Sequence, residues 1–377
     1  MLKPESYYSE AFLYAIPDYH TGAENTWAAQ FWQDFYNVST DGSSGTLSAD
    51  RHINSLRLTG GTLNLGNNTL YIISGGLLTT KPDQGDSFWT ITGSSGATIT
   101  TAQPNVDEET QQYIGWKTGF PLYMHIYSDR LQINGGVSIN TLGADVVKTG
   151  PGELRLNSTV THQIGSLYIN QGLFRVANGR LSVAGRIYVG DGAGTDILQL
   201  RGNVRNQLIT PNANVFPSIT LHGTPYAPRG PEYGGDQAIL RLGGNTKQRL
   251  SNLHIEDRGT IDWVGGEVGR ANMIWLDTLT FSGPDAILFM RNWYEYEDYL
   301  LVRTTGFDLN FLQNIRFEGY ENFPIVWRKY DDHYHQITPF GPMSDECPEP
   351  TTTGAILGAV GIGLFVWRKR RRDQSNH

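Results

Sequence analysis

The chain has almost no cysteine: Cys347 is the single one among 377 residues. No disulfide framework is possible within the chain, so packing and hydrogen bonds must hold the fold. Charge is scarce as well. Charged residues make up 18% of the sequence, against about 25% in ordinary globular proteins. The formal net charge is −8, and the tail Arg368–Asp373 carries a net +4, which leaves the remainder at −12. An acidic body lacks the basic footprint that nucleic-acid binding needs, so no nucleic-acid partner is expected. There is no phosphate-binding loop, no nucleophile elbow and no dinucleotide fingerprint. No cofactor is expected and no catalytic residue is assigned. The start, Met1 to Phe12, has no basic stretch followed by an apolar run of the export-signal kind.

What the chain has is glycine, 44 residues, and aromatics, with 19 Tyr, 15 Phe and 9 Trp. Asn, Thr and Ser are also frequent. This profile suits a turn-rich, all-β extracellular protein. Residues 1–50 are aromatic and irregular. Trp27, Phe31 and Phe35 recur at helical spacing. The segment reads as a cap over the open end of the next domain, with a carbohydrate-stacking platform as the sharper alternative.

From about residue 51 a unit recurs: Leu56-Arg-Leu58-Thr-Gly-Gly61-Thr-Leu63-Asn-Leu65, then Leu131 to Ile139, Leu167 to Val176, and more loosely Leu253 to Trp263. Apolar residues two apart share one face of a strand, and the intervening glycines permit positive φ. Many short strands with one apolar face bury it best by stacking coil on coil. The expected fold is therefore an all-β parallel β-helix, a solenoid, over 51–340. Its inward ladder should include Leu56, Leu58, Leu63, Leu65, Leu154, Leu156, Leu167, Ile169, Phe174 and Val176. A β-sandwich of hairpins is the competing architecture. Residues 202–250, rich in Pro and Gly, read as a loop-rich insertion, a common place for binding. Residues 253–340 read as the last coils and a C-terminal cap.

Three clusters invite chemistry. Asp331-Asp332-His333-Tyr334-His335 puts two imidazoles on one strand face, as metal ligands could sit, but reads first as an exposed polar loop. Gly190 to Asp196 reads as a turn, with weak Ca²⁺ binding as the alternative. Asp257, Asp262, Glu267, Asp277 and Asp285 are the acids that a polysaccharide lyase or hydrolase would need to bring together. They follow no recognisable motif, and no enzymatic activity is expected.

The end of the chain has three parts in order. Pro348-Glu349-Pro350 closes a linker over 341–350. Then comes an uncharged run from Gly354 to Trp367, through Ile356, Leu357, Val360, Ile362, Leu364, Phe365 and Val366. Arg368, Lys369, Arg370, Arg371 and Arg372 follow. At about 1.5 Å per residue the run makes roughly 21 Å as a helix, short against a hydrocarbon core of about 30 Å. It is apolar all round, which reads as a short membrane span over 351–372 with the cationic end held on the cytoplasmic side.

This order resembles the bacterial PEP-CTERM sorting signal. The resemblance implies an exported protein, held transiently at the inner membrane and passed by an exosortase to the envelope or the extracellular matrix. Pro348, Glu349 and Pro350 are then recognition residues of a processing substrate. An export signal is expected ahead of this sequence, which would start at an internal methionine of a longer protein or be a fragment. The stretch Lys148-Thr149-Gly150-Pro151-Gly152-Glu153-Leu154-Arg155-Leu156, continuing to Gly172-Leu173-Phe174-Arg175-Val176, resembles the autotransporter-associated β-strand repeat, with Phe174 where leucine is usual. That resemblance implies a right-handed β-helix on a secreted protein. The expected function is a structural or adhesive solenoid at the cell surface, with polysaccharide as a possible partner. A polysaccharide-binding or polysaccharide-degrading β-helix is the alternative.

Overall fold

The computed structural model describes residues 37–339 except 41, 43, 81–86, 107–112, 193, 203, 225–236 and 265–270. The aromatic segment 1–36, the sorting-signal residues, the apolar run with its basic tail, and Glu267 lie outside these. Among the described residues no helix is long and apolar enough to cross a membrane.

The described chain is all-β, and its strands stack in parallel, coil upon coil. A regular coil is three strands and three corners. Val146–Thr149 lies on a first face, Glu153–Leu156 on a second and Thr161–Ile164 on a third. The chain then returns to the first face at Leu167–Ile169, to the second at Gly172–Val176 and to the third at Arg180–Val183. Each strand pairs in parallel with the strand one coil later. This is the arrangement of a β-solenoid, and antiparallel hairpins of the sandwich kind do not build it. The sheet that holds the first face joins 15 strands, among them Thr98–Thr100 and Ser138–Ile139, which stack in line with the third face, and the second face joins 11. Stacking begins ahead of residue 51, since Asn37–Ser39 pairs with Ser55–Arg57.

Parallel register forces like positions on top of one another. On the second face Leu131 sits on Leu154, Leu154 on Phe174, and Phe174 on Leu198. The column continues through Leu240, Ile261, Met290 and Phe317. All ten residues of the expected inward ladder are at most 2% exposed. Each such side chain contributes about 1.5–3 kcal/mol on burial. Phe174 takes its place in the leucine column and is itself buried.

Residues 202–250 depart from their reading as one insertion. The chain returns to strand at Leu208–Ile209, Ser218–His222, Ala238–Gly243 and from Lys247 onward. Leu208, Ile219, Leu221, Leu240 and Leu242 are buried there. Buried apolar residues two apart persist there, as Ile219 with Leu221 and Leu240 with Leu242. On the third face the Gln248 side chain replaces a rung of main-chain pairing. Its carbonyl accepts from Leu208 N–H at 3.0 Å, and its amide donates to Leu208 O at 2.9 Å.

At the corners backbone carbonyls turn away from the sheets and need donors. Lys148 supplies them at the corner between the first and second faces. It is fully buried. Its ammonium donates to Gly150 O at 2.5 Å and Gly152 O at 2.6 Å in its own coil, and to Gln171 O at 2.5 Å in the next. Three acceptors match the three N–H groups of the charged form. Burial pulls the Lys148 pKa down to about 7, and the Asp196 carboxylate works the other way. Gly150 has φ +78°, and a Cβ on Gly152 would run into the Ser128 carbonyl. The Lys-Thr-Gly-x-Gly pattern thus describes a corner, with a clamp and two positions that admit only glycine.

The corner between the second and third faces carries an asparagine ladder. Asn178 Nδ2 donates to Asn157 Oδ1 at 2.8 Å, and Asn157 Nδ2 to Asn134 Oδ1 at 3.1 Å. In the later coils Thr246 N–H donates to Asn272, whose amide donates to buried Asp298 at 3.1 Å. Inside the third face His162 is buried, with Nδ1 accepting from Ile139 N–H at 3.0 Å and Nε2 2.8 Å from Ser158 Oγ. The backbone donor at Nδ1 places the proton on Nε2. On the outside of the second face Glu153 gathers Arg130 at 2.7 Å, Arg155 at 2.8 Å and Arg175 at 3.0 Å, from three successive coils. Burial works to raise its pKa, but hydrogen bonds from Arg155 and Arg130 and the Arg175 charge outweigh that and hold it low.

The stack ends in a different geometry. Leu309–Asn314 forms a 3₁₀ turn, and Ile315–Phe317 closes the second face. Tyr334–Thr338 then runs antiparallel to Tyr299–Arg303 and pairs with Val326–Lys329.

Two outcomes test this account. Lys148→Met should cost about 3 kcal/mol in urea unfolding, because three buried carbonyls lose their donor; a neutral effect would remove the clamp. Burial depresses the His162 pKa from 6.5 to about 4. The unfolded chain therefore binds a proton that the folded chain does not. The His162 contribution to stability is full above pH 6.5 and falls by about 3 kcal/mol as pH drops to 4. It is read as the difference in unfolding free energy between the wild type and His162→Gln across that window.

Candidate functional site

The corner between the first and second faces recurs in every coil. Late in the stack its outer side becomes a groove. Asp257 forms the corner after strand Lys247–Glu256, and Asp285 lies in the corner after Met273–Phe281. Gln313, Asn314 and Arg316 come from the coil that follows. These five side chains line a cavity of about 410 Å³ over Pro284 and Ile287.

Local chemistry positions each group. Asp257 adopts φ +60°, a conformation that Asp tolerates better than most residues. Its carbonyl accepts from Ile287 N–H at 2.8 Å, which ties it to the next coil. Asn314 is buried and donates to Pro284 O at 2.6 Å and Ala286 O at 2.7 Å, so it holds the Asp285 turn from the coil beyond. Arg316 Nη1 donates to the carbonyls of Gln313 and Ile315. Asp285 is exposed and has no hydrogen bond or ion pair among the described residues.

One coil before Asp257, His222 ends strand Ser218–His222. Its Nε2 stands 3.6 Å from Asp257 Oδ2, a loose ion pair when the imidazole is protonated. The His222 carbonyl accepts from Gly192 N–H at 3.2 Å. Stacking therefore carries the Gly190–Asp196 turn, His222, Asp257 and Asp285 along one corner in coil order, with Arg316 beside it on the second-face strand of the next coil. No sequence motif announces this line, because its members lie tens of residues apart.

Asp262 and Asp277 do not converge on the groove. Asp262 is buried and pairs with Arg241 at 2.9 Å, with Asn292 donating at 2.7 Å. Asp277 pairs with Arg249 at 3.1 Å and Arg303 at 3.3 Å. Both carboxylates serve cross-coil ion pairs. His335 packs flat on Trp327 with ring centroids 4.8 Å apart. His333 N–H instead donates to Asp331 at 2.7 Å. Among the described residues no group of three His, Cys, Asp or Glu side chains could hold a metal ion.

The arrangement presents two carboxylates as acceptors, with amide and guanidinium groups as donors, on an open polar surface. Hydrogen bonding to a polar ligand is what this set can do. A general acid–base role for His222 and Asp257 would need a substrate within hydrogen-bond reach of one of them. No protein-family pattern, curated protein or solved structure matches this chain.

Proposed function

We propose that this is an exported cell-surface or extracellular-matrix β-solenoid with a structural or adhesive role, tethered and sorted through its C-terminal segment. Two features support the reading. Several ionisable groups in the described coils serve corners and cross-coil ion pairs, as Lys148, Glu153, Asp262 and Asp277 do. The end of the chain runs Pro348-Glu349-Pro350, apolar stretch, Arg368 to Arg372, and this order carries the proposal. Its apolar part would serve as a short transmembrane helix, and an exosortase-type enzyme would be the processing partner. The winding is taken as right-handed, as nearly all parallel strand–crossover–strand connections are.

A second reading, a polysaccharide-binding or polysaccharide-degrading solenoid, is favoured by the groove at Asp257, Asp285 and Arg316. New reducing ends released from a polysaccharide by the purified protein would replace the non-enzymatic reading.

Deleting Pro348–Arg372 should move the protein from the membrane fraction into the medium. Unchanged membrane retention of the deletion variant would overturn the sorting role.

A further inference from the structure

The groove at the late corner selects among ligand chemistries. Asp257 and Asp285 come from adjacent coils, so they are about 4.8 Å apart along the stacking direction. Arg316 and Gln313 stand on the coil after that. Two carboxylates disfavour an anionic ligand such as a uronate or phosphate. A guanidinium in the same wall disfavours a bare cation, and no third His, Cys, Asp or Glu among the described residues completes a metal set. What fits both signs at once is a neutral polyol. Carboxylates accept from its hydroxyl groups, and the guanidinium and amide donate to its oxygens. The volume of about 410 Å³ falls within the range of small-ligand sites, about 300–1,000 Å³.

We propose that this groove binds a neutral saccharide chain lying along the stacking direction, with Asp257 and Asp285 accepting from hydroxyls of successive units and Arg316 and Gln313 donating. The inference rests on the second reading above and gives it a ligand class and an address. Asn314 is a positioning residue: through Pro284 O and Ala286 O it sets the height of the Asp285 turn. His222 stands one coil behind Asp257, with Nε2 3.6 Å from its carboxylate.

The test is calorimetric titration of the full chain with neutral hexasaccharides of glucose, mannose and xylose, beside hexagalacturonate and calcium chloride. At least one neutral hexasaccharide should bind. Asp285→Ala and Arg316→Ala should each weaken it roughly tenfold, about 1.4 kcal/mol, at an unchanged thermal midpoint. Both side chains are exposed, so their removal spares the core. Binding that survives both substitutions would overturn this site and leave the second reading standing. Failure of every neutral hexasaccharide to bind would overturn this site too, and further failure with polymeric glycans would sink the second reading itself. Tighter binding of hexagalacturonate or calcium, lost in Asp285→Ala, would overturn the neutral assignment.

Discussion

Everything in this structure depends on parallel main-chain pairing between one coil and the next. Pairing holds each strand in register with its counterpart, and register decides which side chain meets which. The consequence inside is a set of apolar columns, such as Leu131, Leu154, Phe174 and Leu198. At the corners the consequence is a problem, because turning backbone leaves the sheets and its carbonyls lose their partners. Lys148 and Asn314 solve it by donating to backbone carbonyls across coils, so each fastens two turns at once. Asn157 links adjacent corners through the side-chain carbonyl of Asn134. Gln248 does the same within a face, standing in for a main-chain rung.

The same register organises the outside. Glu153 collects three arginines because successive coils place them in neighbouring columns. Tyr168 and Tyr188 stack at 4.9 Å for the same reason. The groove is a further instance: Asp257 and Asp285 lie at the same corner of successive coils, and Arg316 stands beside that corner on the second-face strand of the coil that follows. Surface chemistry in such a fold is written along the stack, one residue per coil, and binding along that direction is its natural use. The end of the stack is closed by antiparallel strands and by Trp327 on His335.

Much of the fold was legible in the sequence. Apolar residues two apart around glycine turns identified the inward positions from Leu56 to Val176, whereas that the Lys-Thr-Gly-x-Gly pattern forms a corner came from the structure. The function of Lys148 within that pattern was not legible, because a lysine in a polar turn gives no sign that it is buried. Residues 202–250 misled, since their prolines and glycines outweighed, in a reading of the sequence, the short strands that keep apolar residues two apart. Coil length was the hidden variable. Val146 pairs with Leu167, Leu167 with Ile187, Ile187 with Ile219 and Ile219 with Leu253. Coils of such different lengths show no fixed period in sequence. The groove was illegible for the same reason: Asp257 and Asp285 were visible as acids, but their meeting with Arg316, and with His222 behind them, follows only from the register.

The stacking register is the claim on which the rest stands, and cross-linking tests it most directly. In a Cys347→Ser background, Tyr168→Cys with Tyr188→Cys places two thiols at paired outward positions of adjacent coils. Paired strands put their Cα atoms within the 4.4–6.8 Å that a disulfide spans. Mild oxidation should give an intramolecular disulfide in high yield, while Tyr168→Cys with Thr220→Cys, two coils apart, should give none. Absence of the first bond, or ready formation of the second, would contradict the parallel stack.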